Sequence, residues 1–268
     1  MSPQSRSRKK ATSQRSVGHR ADAGPGLALP GLEQLYATLA RASAELTVLA
    51  SPLQAELWTS TQLGVLERAA PDTGAHRRAL ADLLFYFRRS RTPGTYAFLR
   101  AFAAIGPREL RADAAVAADG LIKGLTDGPG EGPGEGPGEG PGEGAGPAWL
   151  PALGRVMPGE TWLIQDGSLG GDQIVCEFRY ADGGGPLHAL LVQITQGRAT
   201  QLLAIGDVPG MMAQVRQGVA AEECAVLRLD PAAAGARLRA ALAGDTSEHP
   251  EDFDVILAFA RHRIETLP

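Results

Sequence analysis

Residues 172–195 decide the fold, and they read DQIVCEFRYADGGGPLHALLVQIT. Apolar or aromatic side chains occupy alternate positions from Ile174 to Tyr180, which is the period of a β-strand with one buried face. The run 181–186 contains three glycines and a proline and predicts a turn, after which residues 187–195 return as the second strand. His188 then shares a face with Leu190 and with the alternate residues that follow. The stretch therefore predicts an antiparallel β-hairpin.

The chain on either side of the hairpin predicts further strands and then helices. Short apolar runs typical of strands occur at 160–165, 200–205 and 224–229. Asp230-Pro231 combines an N-cap residue with proline at the first helical position, and apolar residues at helical spacing continue from Phe253. Because the strands come first and the helices last, the order favours an antiparallel sheet covered by helices over a parallel βαβ fold.

Residues 31–125 predict five helices joined by short turns. Apolar side chains recur at helical spacing throughout this range. Ser51-Pro52 and Thr92-Pro93 each place a capping residue before a proline, Asp72 or Thr73 can cap another helix, and Gly106-Pro107 separates the last two. The whole chain is thus expected to be α+β, with an N-terminal antiparallel helical array followed by an antiparallel β-sheet covered by helices.

Two segments do not predict packed structure. Residues 1–30 are basic and nearly free of apolar side chains, which is typical of a disordered tail. Gly-Pro-Gly-Glu occurs four times between Gly128 and Glu143, and its glycine, proline and repeated negative charge predict a linker over 126–147. The expected domains are a helical domain at 31–125 and a sheet domain at 148–268.

Composition and charge narrow the class of protein. The 268 residues carry a formal net charge of −4 and two cysteines, too few for a disulfide framework. No apolar stretch approaches the length of a membrane-spanning helix, and no apolar segment follows the basic N-terminus as in a secretory signal. A cytoplasmic protein without membrane contact is expected.

His188 is the catalytic candidate that the sequence offers. It opens a strand just after the glycine turn, where Asp172 or Asp182 could make it a general base. The other histidines have no metal-ligand spacing, and His262, between Arg261 and Arg263, is interpreted as part of a solvated helix end. Phosphate-binding, dinucleotide and hydrolase motifs are missing, so no metal or cofactor is predicted.

Arginines are dense in the second half of the helical domain. Residues 77–111 contain eight arginines and only two acidic residues. They are the candidate binding residues: Arg77, Arg78, Arg88, Arg89, Arg91, Arg100, Arg108 and Arg111. Such a set can be an exposed helix surface, can meet the acidic second half of the chain or of another subunit, or can grip phosphates.

Two stretches resemble an uncharacterised family of hypothetical proteins from high-GC bacteria. They are residues 51–66, which begin Ser-Pro-Leu, and residues 173–194, which contain the hairpin, together with the helical ending at 263–268. The resemblance implies a shared fold over most of residues 50–268 and implies no activity or catalytic residue. The Gly-Pro-Gly-Glu run departs from it.

Three functions remain open from the sequence, which does not decide whether the protein is an enzyme. The first is a non-catalytic module that binds another protein or its own subunit. It is favoured by the missing motifs and by the segregation of charge, since residues 1–20 carry six basic and no acidic side chains, whereas residues 148–268 carry fifteen acidic and nine basic ones. The second is a hydrolase or transferase using His188 with Asp172 or Asp182. The third is a nucleic-acid-associated protein using the basic tail and the arginine-rich helices.

Overall fold

The computed structural model describes residues 30–126, 146–166, 170–221, 223–243 and 251–268. The predicted basic tail lies outside this range except for its last residue, and the predicted linker lies outside it except for its two ends. Residues 167–169, which follow the predicted strand at 160–165, are also outside this range.

The N-terminal part forms the five predicted helices. They are α1 (Glu33–Ala42), α2 (Pro52–Ala69), α3 (Thr73–Phe87), α4 (Pro93–Ile105) and α5 (Arg108–Thr126). Ser51, Asp72 and Thr92 accept the expected capping hydrogen bonds at the start of α2, α3 and α4. The apolar residues at helical spacing predict one helix over 31–50, but α1 ends at Ala42, where the Ser43 hydroxyl donates to the carbonyl of Ala40 and the chain tightens into a 3₁₀ helix over Ser43–Val48.

The C-terminal part contains one five-stranded antiparallel sheet. Its strands are β1 (Val156–Asp166), β2 (Gly171–Tyr180), β3 (His188–Thr195), β4 (Arg198–Ile205) and β5 (Cys224–Arg228), in the spatial order β4-β3-β2-β1-β5. Three helices follow the strands or interrupt them: α6 (Val208–Ala220), α7 (Pro231–Leu242) and α8 (Glu251–Glu265). The α+β class and its order, helices first and then the sheet, are confirmed.

Helices cover both faces of the sheet. α7 and α8 pack on the face that carries Ile174, Cys176 and Phe178, which is the apolar face predicted from the alternation in β2. α6 covers the other face, where Val208 and Met212 meet residues such as Val175 and Leu191. The sequence did not predict α6, in which Gly210 and Gly218 lower the helix propensity.

α8 lies between the sheet and the helical part. It packs along α2, where Gly64 allows the two backbones to approach closely, because a β-carbon at that position would overlap the carbonyl group of Asp254. The backbone N–H of Phe259 donates to Ser60 Oγ across the same contact, at 3.1 Å. The predicted division into domains at 31–125 and 148–268 stays a prediction, but the described parts of both meet along these two helices.

Within the part of the chain that the structure describes, no helix has both the length and the apolar composition required to cross a bilayer.

Candidate functional site

A cluster of polar side chains is buried where α2, α8 and the β2–β3 turn meet. Arg263 of α8 is at its centre and has no exposed surface. Nη2 of its guanidinium forms an ion pair with Glu56 of α2 and also donates to the hydroxyl of Tyr180 at 3.1 Å. Nε donates to His188 Nε2 at 3.0 Å, and Nη1 lies 2.8 Å from His262 Nδ1. The cluster therefore joins the helical part to the sheet.

The hydrogen bonds of Glu56 are completed within the cluster. Its Oε2 accepts from the Tyr180 hydroxyl at 2.7 Å, in addition to Arg263. Its Oε1 accepts from the backbone N–H of Gly154 at 2.7 Å, in the turn that leads into β1. Three aromatic rings surround the guanidinium, and the closest is that of Phe259, whose centroid lies 4.3 Å from Arg263 Cζ. A buried charge is tolerated when it is paired and hydrogen-bonded in this way.

Both histidines of the cluster are held neutral. Burial, reinforced by the positive charge of Arg263, lowers the pKa of His188 to about 3. Burial, with Arg263 and then Arg111, likewise lowers the pKa of His262 to about 3. Since Arg263 donates to His188 Nε2, the proton of the neutral ring is on Nδ1, which donates to the Pro186 carbonyl at 3.0 Å. Both ring nitrogens of His188 are thus engaged.

The structure does not bring His188 together with either candidate carboxylate. Asp172 pairs with Ile194 at the far end of the β2–β3 ladder, whereas His188 pairs with Phe178. A hydrogen bond from Arg237 lowers the pKa of Asp172, so this carboxylate already has a cationic partner. Asp182, in the turn, accepts from Arg155 at 2.8 Å. His188 is fully buried and its side-chain partner is an arginine, so the geometry expected of a histidine–carboxylate base is not formed.

The expectation that the end of α8 is solvated was wrong for two of its residues. Arg261 is exposed and pairs with Glu67, but His262 and Arg263 are buried. A signal was present in the sequence: Arg263 follows Phe259 by four residues and so lies on the apolar stripe of the helix. Glu56 could not be found in that way, because 207 residues separate it from Arg263.

The eight candidate arginines do not form one surface. Arg77 and Arg78 lie in the second turn of α3, and Arg88 lies just after its last residue, about 16 Å from Arg77 along the helix axis. Three of the set have acidic partners within the chain. The pairs are Arg77–Glu109 at 3.8 Å, Arg100–Asp119 at 3.4 Å and Arg111–Glu265 at 2.7 Å. Only the last of these pairs reaches the acidic second half.

Three more of the candidate arginines lie at the other end of α3 and have no described acidic partner. Arg88, Arg89 and Arg91 are exposed around the turn that joins α3 to α4. Beside this turn runs a groove of about 680 Å³ between α1, the 3₁₀ helix and the start of α4. Its lining includes Arg41 and Tyr86, together with alanines, Ser90 and Thr92, and no acidic side chain. We call this groove, with Arg41, Arg88, Arg89 and Arg91, the arginine groove.

Among the described residues, no group of histidine, cysteine, aspartate or glutamate side chains is arranged to hold a metal ion. No family model, no curated protein and no solved structure matched this chain. The resemblance to a family from high-GC bacteria therefore stays a prediction.

Proposed function

We propose that this protein is a non-catalytic binding module, and that the arginine groove receives an acidic segment of another protein. One observation carries the proposal: Arg41 lines a groove whose described lining contains no acid, and the exposed Arg88, Arg89 and Arg91 belong to the turn that contributes Ser90 and Thr92 to that lining. Guanidinium groups bind carboxylates with matched, two-pronged geometry, which makes arginine well suited to such a surface.

The shape and lining of the groove favour a peptide. Its lining contains the small apolar residues Ala37, Ala40 and Ala44, together with Tyr86. Such a lining can accept the apolar atoms of an extended chain while the neighbouring arginines pair with its carboxylates. Ser90 and Thr92 add hydroxyl groups that can bond a peptide backbone.

The arrangement favours an acidic peptide over nucleic acid. A nucleic-acid surface usually presents a continuous basic stripe along the phosphates. Here the arginines of α3 fall at its two ends, and Arg77, at the opposite end from the groove, has Glu109 beside it. Tyr86 is the one aromatic residue in the lining, whereas single-stranded nucleic acid is typically held by several stacking rings.

The catalytic alternative has little support from the geometry. His188 has no exposed surface, and burial holds its pKa at about 3. A general base needs access to a substrate and a pKa near the working pH. The buried cluster is better suited to fixing α8 against α2 and the sheet.

The test is a binding measurement with a fluorescein-labelled peptide of 12 residues, six of them glutamate. We expect saturable binding that weakens about fivefold in the R88Q/R91Q variant, because two exposed ion pairs contribute roughly 1 kcal/mol together. The matched control is R198Q/R216Q, which removes the same charge from exposed arginines of the sheet part. Equal affinities for the two variants would refute the proposed site. Tighter binding of a 12-nucleotide single-stranded DNA would favour the nucleic-acid alternative instead.

A further inference from the structure

The residues that flank the segment 127–145 lie beside the arginine groove. α4 and α5 are joined by a short turn at Gly106-Pro107 and run antiparallel, with Arg100 opposite Asp119 at 3.4 Å. Thr126, the last residue of α5, lies seven positions after Asp119 and so comes level with Pro93, seven positions before Arg100. Pro93 is part of the groove lining.

The chain returns at the same end of the helical array. Gly146 lies against the ring of Tyr96, which is one turn of α4 after Pro93. Trp149 then anchors the returning chain in the helical core, and its indole N–H donates to the carbonyl of Leu49 at 2.9 Å. Residues 127–145 therefore leave and re-enter the described structure close to the groove.

The sequence of residues 127–145 complements the groove in charge. This range contains five acidic residues and no basic one. They are Asp127, Glu131, Glu135, Glu139 and Glu143. The 19 residues can extend to about 65 Å at most. Their two ends lie beside the first turn of α4, which begins two residues after Arg91, so the segment is long enough to reach Arg88 and Arg91.

Two acidic residues of α8 pair with arginines of the helical part away from the groove. Asp254 and Glu265 of α8 pair with Arg68 and Arg111, which lie on α2 and at the start of α5. Neither pair is at the groove. The Gly-Pro-Gly-Glu run is therefore the densest source of negative charge within reach of the arginine groove in the same chain.

We propose that the Gly-Pro-Gly-Glu segment occupies the arginine groove of its own chain and competes there with the external acidic partner. This inference rests on the proposed function for the identity of the groove and adds its regulation. Exposed ion pairs are individually weak. A tethered segment nevertheless acts at an effective concentration in the millimolar range, so its occupancy is partial and sensitive to salt.

Carbodiimide cross-linking of the full chain tests the contact directly. This reagent joins a carboxylate to a nearby lysine amine, and the chain has only Lys9, Lys10 and Lys123 as native lysines. The R88K/R91K variant keeps the charge of the groove and adds two reporters. We expect amide cross-links from positions 88 and 91 to the glutamates at 131–143, at least about fivefold more abundant than from the matched R198K/R216K control and lost in 0.5 M NaCl.

Two results would overturn the inference. One is a yield from R88K/R91K no higher than from the control. The other is cross-links that occur only in covalent dimers, which would assign the contact to a second copy of the chain. Lys123, three residues from the end of α5, is present in both variants and reports whether the segment's carboxylates react at all.

A second measurement separates this inference from the proposed function. In the E131Q/E135Q/E139Q/E143Q variant, the labelled glutamate peptide is expected to bind about threefold more tightly than in the native chain, because its competitor has lost its charge. Peptide binding without the cross-links would leave the proposed function standing and remove the self-contact. Cross-links without peptide binding would support the self-contact and refute the external partner.

Discussion

Replacing Glu56 with glutamine removes one charge from the buried cluster and changes the side chain very little in size. Arg263 would then be a fully buried cation without a counter-charge, next to two neutral histidines. The amide has one oxygen and one NH₂ group. Whichever way it turns, its NH₂ faces a donor, either the guanidinium of Arg263 or the N–H of Gly154.

The expected cost is about 3–5 kcal/mol of unfolding free energy, which is the usual effect of removing one partner of a buried ion pair. Much of the stability of a typical domain would be lost, since that stability totals only about 5–15 kcal/mol. Urea unfolding at pH 7, followed by circular dichroism, measures the change. We expect a lower midpoint with a similar slope if the folded state is retained.

The matched control is Glu67→Gln on the same helix. Glu67 pairs with Arg261 of α8 at 3.3 Å, so the same substitution breaks a second pair across the same helix contact. This pair is partly exposed, and its loss is expected to cost less than about 1 kcal/mol. The contrast between the two variants isolates the effect of burial.

A double-mutant cycle with Arg263→Met completes the test. With both charges removed, the cost is expected to fall well below the sum of the single costs, because no unpaired charge remains. If Glu56→Gln cost no more than Glu67→Gln, or if the two changes were additive, the reasoning that the pair is buried and mutually dependent would be refuted.

Two further predictions concern acid stability and helix packing. His188 and His262 have folded pKa values of about 3 against 6.5 in the unfolded chain, so the unfolded state binds more protons between these pH values. Stability should be complete above about pH 6.5 and fall as the pH decreases, by up to about 1.4 kcal/mol per pH unit for each histidine. Urea titrations between pH 7 and pH 4.5 measure this slope, and an unchanged slope in His262→Gln would contradict it. Gly64→Ala should cost about 1–3 kcal/mol of unfolding free energy, because its β-carbon meets the Asp254 carbonyl. Gly120→Ala, in open space on α5, should instead stabilise the protein by about 0.5–1 kcal/mol. Thermal unfolding midpoints that move in the same direction for both variants would contradict the packing argument.

Local patterns were sufficient for most of the secondary structure. Ser51, Asp72 and Thr92 cap their helices because a side-chain oxygen can accept an N–H of the first turn whatever the rest of the chain does. The alternation in β2 likewise identified the face that α7 and α8 cover. α6 was missed because its glycines weaken the helical signal, and it forms because Val208 and Met212 have a sheet face to cover.

The candidate sites depended much more on the tertiary structure. The sequence selected His188 as a catalytic candidate, but it could not show that its partner is Arg263, 75 positions away. It also grouped eight arginines by their nearness in the chain. The structure separates them, because α3 places Arg77 and Arg88 at opposite ends and other helices supply acids to some of them.

The sequence by itself determined the class of fold, the starts of α2, α3, α4 and α7, the hairpin and the segregation of charge, since each follows from the spacing or composition of neighbouring residues. The tertiary structure alone decided which charges are buried together, which histidines stay neutral and which arginines have no acidic partner among the described residues. The physical reason is that local preferences act over a few residues, whereas burial and pairing depend on which distant segments fill the same space.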